Sequence, residues 1–231
     1  MAIRVILTDI EGTTTPIAFV HSVLFPYARA ALPDFLHAHG RDAAMADVMA
    51  DIARLAPDVD PLSALLAWMD IDAKITPLKT LQGLIWAEGY RSGAITSVIY
   101  PDVTPCLRAW HGAGLRLAIY SSGSVGAQKL LFGHTPDGDL TPLFSDFFDT
   151  RVGGKRDAAS YAAIASALAL PADSILFLSD IGAELDAAAL SGLRTAQLLR
   201  PQDGTQTSPA HRGFSNFADI AADILQPSNP A

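Results

Sequence analysis

Five apolar runs punctuate the chain. Residues 4–8 (RVILT) are mostly β-branched or apolar and end in the acidic, glycine-containing turn Asp9-Ile10-Glu11-Gly12-Thr13. A buried parallel strand delivers a loop at its carboxyl end in this way. The pattern returns at 115–120 (LRLAIY), in a short run at 147–149, at 175–179 (ILFLS) and at 195–199 (TAQLL). Helical stretches fill the intervals at 104–113, 125–131, 158–169 and 184–190. Strands that alternate with helices predict a parallel sheet with right-handed crossovers, an α/β Rossmann-like core.

One interval breaks the rhythm. From about residue 15 to residue 97 the chain is helix-rich and offers no strand, far more than a direct crossover needs. It reads as an inserted helical cap domain of residues 15–98, leaving a core of residues 1–14 and 99–231. Pro16 and Tyr100-Pro101 mark hinges at its two ends. Phe19, Val20, Phe25 and Trp86 lie in the insert, where they can serve a helical core or wall an apolar ligand group.

Composition removes several partner classes. Lys and Arg number 16 against 24 Asp and Glu, a formal charge of −8, and no basic run exists. Neither nucleic acid nor an anionic membrane surface is expected, because both need clustered cations. An anionic substrate would need a bound cation and a few placed donors instead. The single cysteine, Cys106, excludes an internal disulfide and a thiolate cluster and reads as a small buried hydrophobe. No apolar run approaches the roughly 18 residues of a membrane span, so a soluble, cytoplasmic chain is expected. Nothing signals assembly, and a monomer is the default; the polar, proline-containing segment 226–231 is expected to fray.

Ligands of open α/β sheets bind beyond the carboxyl ends of the strands. There the chain offers Asp9 and Glu11, then Ser121-Ser122-Gly123, then Gly153-Gly154-Lys155, then Asp180. Phosphoryl transfer needs a nucleophile, neutralisation of the moving group and a proton donor for the leaving oxygen. A carboxylate nucleophile must approach a phosphate dianion against repulsion. Mg²⁺, which favours hard oxygen ligands and one or two carboxylates, removes that obstacle. Asp9 and Asp180 supply two carboxylates, and the backbone carbonyl of Glu11 is placed to join them. The Glu11 side chain can give a proton to the leaving group and later activate water. Lys155 can neutralise nucleophile and phosphate, and Ser121 can hydrogen-bond a phosphate oxygen.

These residues match the pattern of haloacid-dehalogenase phosphatases. An apolar strand leads into Asp9-Ile10-Glu11-Gly12-Thr13, and a second into Ser121-Ser122-Gly123. Lys155 stands alone as the third motif, and the last strand leads into Asp180-Ile181-Gly182-Ala183-Glu184. Glu11, where most of the superfamily carries Asp, resembles the enolase-phosphatases of methionine salvage. The segments DIEGTTTPIAFVHSVLFPYAR, KTLQGLIWAEGY, IYSSGSVGAQKLLFGHT and LTPLFSDFFDT are similar to that family too. The resemblance covers nearly the whole chain, cap included. It implies enolisation and then dephosphorylation of 2,3-diketo-5-methylthiopentyl-1-phosphate to the acireductone, with Mg²⁺ as cofactor. It further implies Asp9, Glu11 and Asp180 at the metal, Ser121, Ser122 and Lys155 at substrate, and Asp9, Glu11 and Lys155 in catalysis. Gly182 interrupts the last motif, so Glu184 either holds Lys155 or a metal-bound water. Glu11 is a candidate base for the enolisation.

Plainer readings stand beside these. Ser122 can be the N-cap of the helix that follows, and a lysine is usually a surface group, although Gly153-Gly154 before Lys155 suggests a close approach. A nucleotide P-loop fails at that lysine, with Asp149 in place of the leading glycine and Arg156 in place of Ser or Thr. His37 and His39 read as solvated, because positions i and i+2 of a helix face apart. His21 lies near the entry to the insert and can reach substrate, whereas Lys74 and Lys79 read as surface charges. The competing functions are a phosphatase of another small metabolite, a phosphomutase, a metal-free dehalogenase and a silent binding module.

Overall fold

The computed structural model describes residues 2–224, so the expected fraying of 226–231 lies outside the described residues. Six strands form one parallel sheet: β1 (Val5–Thr8), β2 (Arg116–Tyr120), β3 (Phe144–Phe148), β4 (Ile175–Ser179), β5 (Arg194–Leu198) and β6 (Gly213–Phe214). Their order is β3-β2-β1-β4-β5-β6. The first strand is therefore central, with β2 on one side and β4 on the other, and the order reverses beside it. Register pairs Thr8 with Ile119 and with Leu178. The residues that follow, Asp9, Tyr120-Ser121 and Ser179-Asp180, are thus set side by side by backbone pairing alone.

Two strands depart from the sequence reading. The third begins at Phe144, where 147–149 was expected, and its Phe-Ser-Asp-Phe-Phe run is buried only at its two ends. An edge strand of that mixed exposure lacks the continuous apolar signal on which the expectation rested. The two-residue β6 was not expected, being too short to carry a pattern.

The chain divides into two compact units, Met1–Ala18 with Ser97–Ala231, and Phe19–Thr96. The second unit starts at Phe19, the last residue of α1 (Ile17–Phe19), passes a π turn at Val20–Leu24 and continues as α2 (Phe25–His39). Then come α3 (Ala46–Leu55), α4 (Pro61–Asp70) and α5 (Thr76–Arg91). Helix α4 shows why a helix starts where it does: Pro61 sits in the first turn, and the Asp60 carboxylate accepts the Ser63 N–H at 3.0 Å. The apolar core of this unit is built from Ala28, Leu32, Phe35, Ile52, Leu65, Leu78, Leu81 and Ile85. Trp86 stacks on Phe25, ring centroids 6.2 Å apart, and gives its indole N–H to the Leu24 carbonyl at 2.8 Å.

In the first unit, α6 (Val103–Gly112), α7 (Val125–Gly133), α8 (Ala158–Leu168), α9 (Gly182–Leu190) and α10 (Phe217–Ile224) accompany the sheet. Tyr161, Ile164 and Leu168 of α8 and Leu185 and Ala188 of α9 pack on Val5, Leu7, Ala118, Tyr120, Ile175 and Phe177. Helices α6 and α10 join through Trp110 and Phe217, stacked at 5.2 Å. Cys106 is free and half-buried, where a small buried hydrophobe was expected. Among the described residues no helix is long and apolar enough to cross a membrane.

Candidate active site

The turn after β1 is fixed from several directions. The Asp9 N–H bonds the Leu178 carbonyl at 2.9 Å, and the Ile10 carbonyl accepts the N–H groups of Thr13, Thr14 and Thr15 at 2.8–3.1 Å. Gly12 has φ +72°, and a Cβ there would lie 2.5 Å from Asp180 Oδ2, so both conformation and space require glycine. Thr13 Oγ1 accepts the Asp180 N–H at 3.1 Å, which ties the first turn to the end of β4.

The ammonium of Lys155 lies 2.6 Å from Asp9 Oδ1 and 2.7 Å from Glu184 Oε2, with a tenth of its side chain exposed. Ser179 closes the triangle, giving its hydroxyl to Glu184 Oε2 at 3.0 Å and approaching Asp9 Oδ2 at 3.4 Å. Glu184 therefore holds Lys155, one of the two roles left open by the sequence. Glu11 Oε2 accepts from Ser121 Oγ at a long 3.4 Å. The Ser122 side chain is exposed, and the N-cap of α7 is Ser124, whose Oγ accepts the Ala127 N–H at 3.3 Å. The capping role once open to Ser122 is thus filled by another serine.

Four carboxylates, from Asp9, Glu11, Asp180 and Glu184, gather around one ammonium. Burial and the charge of Asp9 push Asp180 up to about 7, and the same causes push Glu184 up to about 7. Glu11 rises above its ordinary range for the same two reasons. Burial pulls Lys155 down, but the pull of Asp9 and Glu184 outweighs it and the net direction is up. The site is short of positive charge, and the shortage is local: Asp180 Oδ1 is buried without a hydrogen-bond partner. A buried, unpaired carboxylate oxygen is costly unless something cationic meets it. Hard oxygens, two of them on carboxylates side by side, fit a small divalent cation that keeps several waters. Among the described residues no group of three or more His, Cys, Asp or Glu side chains is arranged to hold a metal ion by itself.

Several supporting residues escaped the sequence reading. Gln197, wholly buried in β5, donates to the Asp180 and Gln206 carbonyls at 2.8 Å each and accepts the Ser208 N–H at 2.8 Å. A lone amide in the run TAQLL was its available signal. Ser179 ended the ILFLS run in plain view. Arg200 had none: it is 3% exposed, pairs both guanidinium nitrogens with Asp102 at 2.9 and 3.0 Å, and donates to the Thr13 carbonyl at 2.9 Å.

In the helical unit, His37 is exposed as expected. His39 bonds Asp42 at 3.0 Å and lies 3.4 Å from Glu88, so it is held by carboxylates instead of being simply solvated. His21 is exposed and meets the Phe25 ring edge at 5.7 Å. Lys74 pairs with Asp72 at 2.5 Å on the surface, and Lys79 is exposed.

A lysine bridging a strand-end aspartate, beside a second aspartate from the neighbouring strand of a parallel sheet, defines a class, and sequence comparison agrees with it. The sequence pattern of the haloacid dehalogenase-like hydrolases matches residues 3–192, and the chain belongs to that family. Within it, the chain belongs with the enolase-phosphatases. It is 57% identical over 224 residues to enolase-phosphatase E1 of Acidiphilium cryptum, covering 97% of each chain. To that of Gluconacetobacter diazotrophicus it is 58% identical over 226 residues, covering 98% of this chain and 96% of the relative. The crystal structure of the UTR4 protein of Saccharomyces cerevisiae superposes with a TM-score of 0.78 at 35% identity, covering 93% of this chain and 98% of that one.

Proposed function

We propose that this enolase-phosphatase converts 2,3-diketo-5-methylthiopentyl-1-phosphate to the acireductone 1,2-dihydroxy-3-keto-5-methylthiopentene and phosphate, using Asp9 as nucleophile. The observation that carries the reading is the buried triad Asp9–Lys155–Glu184 beside the unsatisfied Asp180 carboxylate. Asp9, Asp180 and the Glu11 backbone carbonyl would hold Mg²⁺. When bound there it supplies positive charge for the approach of two anions and polarises the oxygens it touches.

The chain's own groups divide the remaining work. A proton leaves the carbon next to a carbonyl of the substrate, and the Glu11 carboxyl is the candidate base. The resulting enol is then dephosphorylated: an Asp9 oxygen forms a bond to phosphorus as the bond to the substrate oxygen breaks. A Glu11 carboxyl pushed up by burial and by Asp9 keeps its proton nearer neutrality, which suits donation to that leaving oxygen. Water, deprotonated by the same group, then releases phosphate from Asp9. Lys155 neutralises Asp9 before attack and the phosphoryl oxygens during it, while Ser121 and Ser122 offer hydroxyls to the phosphate.

The test follows enol absorbance and released phosphate together, with the diketo phosphate, in the presence and absence of Mg²⁺. Mg²⁺-dependent appearance of both, with phosphate release abolished in Asp9→Asn, is expected. Phosphate released only from other metabolites overturns the substrate and leaves the phosphatase chemistry standing. No phosphate from any substrate overturns the whole reading.

A further inference from the structure

Lys155 sits in a segment, residues 153–157, that belongs to no strand or helix, yet its ammonium is held between two carboxylates to within hydrogen-bond distance. Something other than secondary structure fixes the segment. Three consecutive carbonyls there each accept a side-chain hydroxyl. Tyr120 donates to Gly153 at 2.9 Å, Ser160 to Gly154 at 2.8 Å and Tyr161 to Lys155 itself at 2.6 Å. All three donors are buried, at 0%, 1% and 0% exposure. They stand on rigid elements, Tyr120 at the end of β2 and the other two in the first turn of α8. The two phenol rings meet edge to face at 5.4 Å, and Tyr161 also packs on Phe177 at 5.1 Å. Gly153 has φ +130°, and a Cβ there would lie 2.2 Å from Ser160 Oγ, so the segment is pressed against its donors.

We infer that Tyr120, Ser160 and Tyr161 are positioning residues that latch the Lys155 segment by its backbone and so set the ammonium between Asp9 and Glu184. The inference rests on the role given to Lys155 above. A phenol is an unusual choice for a sheet-facing core position that Phe would fill, and buried hydroxyls are retained where they find partners. Burial pushes both phenols up, with Glu184 adding to it for each, which keeps them protonated and able to donate. The latch grips main chain, leaving the lysine side chain free to meet its carboxylates, and a first shell held by such a second layer is more exact than one left to a loop.

The test uses the full-length enzyme and Tyr161→Phe, alone and with Tyr120→Phe; each keeps its ring and loses its hydroxyl. Lys155 acetylation by acetic anhydride is read by peptide mass spectrometry against exposed Lys79, alongside kcat and KM for phosphate release. Loss of one buried hydrogen bond is expected to raise Lys155 labelling about tenfold and lower kcat by a similar factor, with KM unmoved. Phe177→Leu loosens the same core without removing a hydroxyl. It is expected to lower the melting temperature and leave labelling and kcat alone. Wild-type labelling in the double phenylalanine variant overturns the latch, and so does a Phe177→Leu enzyme that reproduces both effects. Lys155→Ala with wild-type phosphate release overturns the role of Lys155 instead, a failure separate from the labelling result.

Discussion

Among the described residues of the sheet unit, Arg200 and Lys155 are two largely enclosed cations, and they are treated in opposite ways. Arg200 is finished: one carboxylate, Asp102, faces it bidentately, the Thr13 carbonyl takes a further bond, and the Tyr100 ring lies 4.0 Å from the guanidinium carbon. Asp102 also accepts the Phe217 N–H at 2.9 Å. Charge and hydrogen bonds both close. Lys155 is unfinished: four carboxylates gather on one ammonium, three of them pushed up, and one oxygen of Asp180 has no partner. A closed pair is what a fold needs to bury a charge at all. An open cluster of perturbed carboxylates is the kind of site that function favours, and the proposed cation and phosphate would supply the charge it lacks.

The largest effects should separate the two clusters by what they damage. Asp9→Asn is expected to cut phosphate release about ten-thousand-fold or more, the scale on which nucleophile removal acts. Its melting temperature should stay near wild type, because one carboxylate fewer relieves an excess. A collapse in stability with residual activity would reverse the reading. Arg200→Met should do the opposite. Stranding Asp102 in the interior costs about 3–5 kcal/mol, and replacing both partners with apolar groups should recover much of it. Denaturant midpoints of Arg200→Met and of Arg200→Met with Asp102→Leu provide the check. A double variant no more stable than the single would show that the pair carries more than its own charge.

The two clusters also differ in how far the sequence exposes them. Asp9, Ser121 and Asp180 were legible because central parallel strands are short apolar runs, and the residue ending such a run is marked by the change of character. Lys155 carried a weaker mark in the glycines before it. Glu184 was visible as an acid four residues past Asp180, but the choice between lysine and water needed coordinates. Ser122 shows the limit in the other direction: its motif allowed both a helix cap and a phosphate ligand, and only the coordinates give the cap to Ser124. Arg200 and Asp102 left no trace, since the partners of a buried ion pair come from positions about a hundred residues apart and no local pattern encodes them. The same reason hid the hydroxyls that bond residues 153–155, because tyrosines in apolar stretches read as packing. Strand β3 was misplaced because this edge strand is buried only at its two ends and carries no continuous apolar run. The helical insert was legible in kind from its missing strands. What its helices bury, from Leu32 to Ile85, follows from contacts that single-sequence periodicity ranks poorly.

The smallest effect is a pH dependence that only the open cluster can show. Asp180 is pushed up to about 7 in the folded protein against an ordinary value of 3.8. Below pH 3.8 both folded and unfolded chains hold this proton. Between the two values the unfolded chain has lost it and the folded chain has not. The unfolded state then binds fewer protons, so stability falls as pH rises through this window and levels off above it. Lys155 and the neighbouring carboxylates share the titration, which keeps the change to about 1–2 kcal/mol, or roughly 2–8 °C in the melting temperature. In chelator, the protein should therefore melt lower at pH 8 than at pH 5, and Asp180→Asn should show a smaller drop than wild type. Millimolar Mg²⁺ should restore the melting temperature at pH 8, where the carboxylates are ionised, and act weakly at pH 5, where protons hold its place. Melting that ignores Mg²⁺ at both pH values would remove the cation from the site. Equal pH slopes in wild type and Asp180→Asn would instead leave the cation and assign the missing charge to another carboxylate.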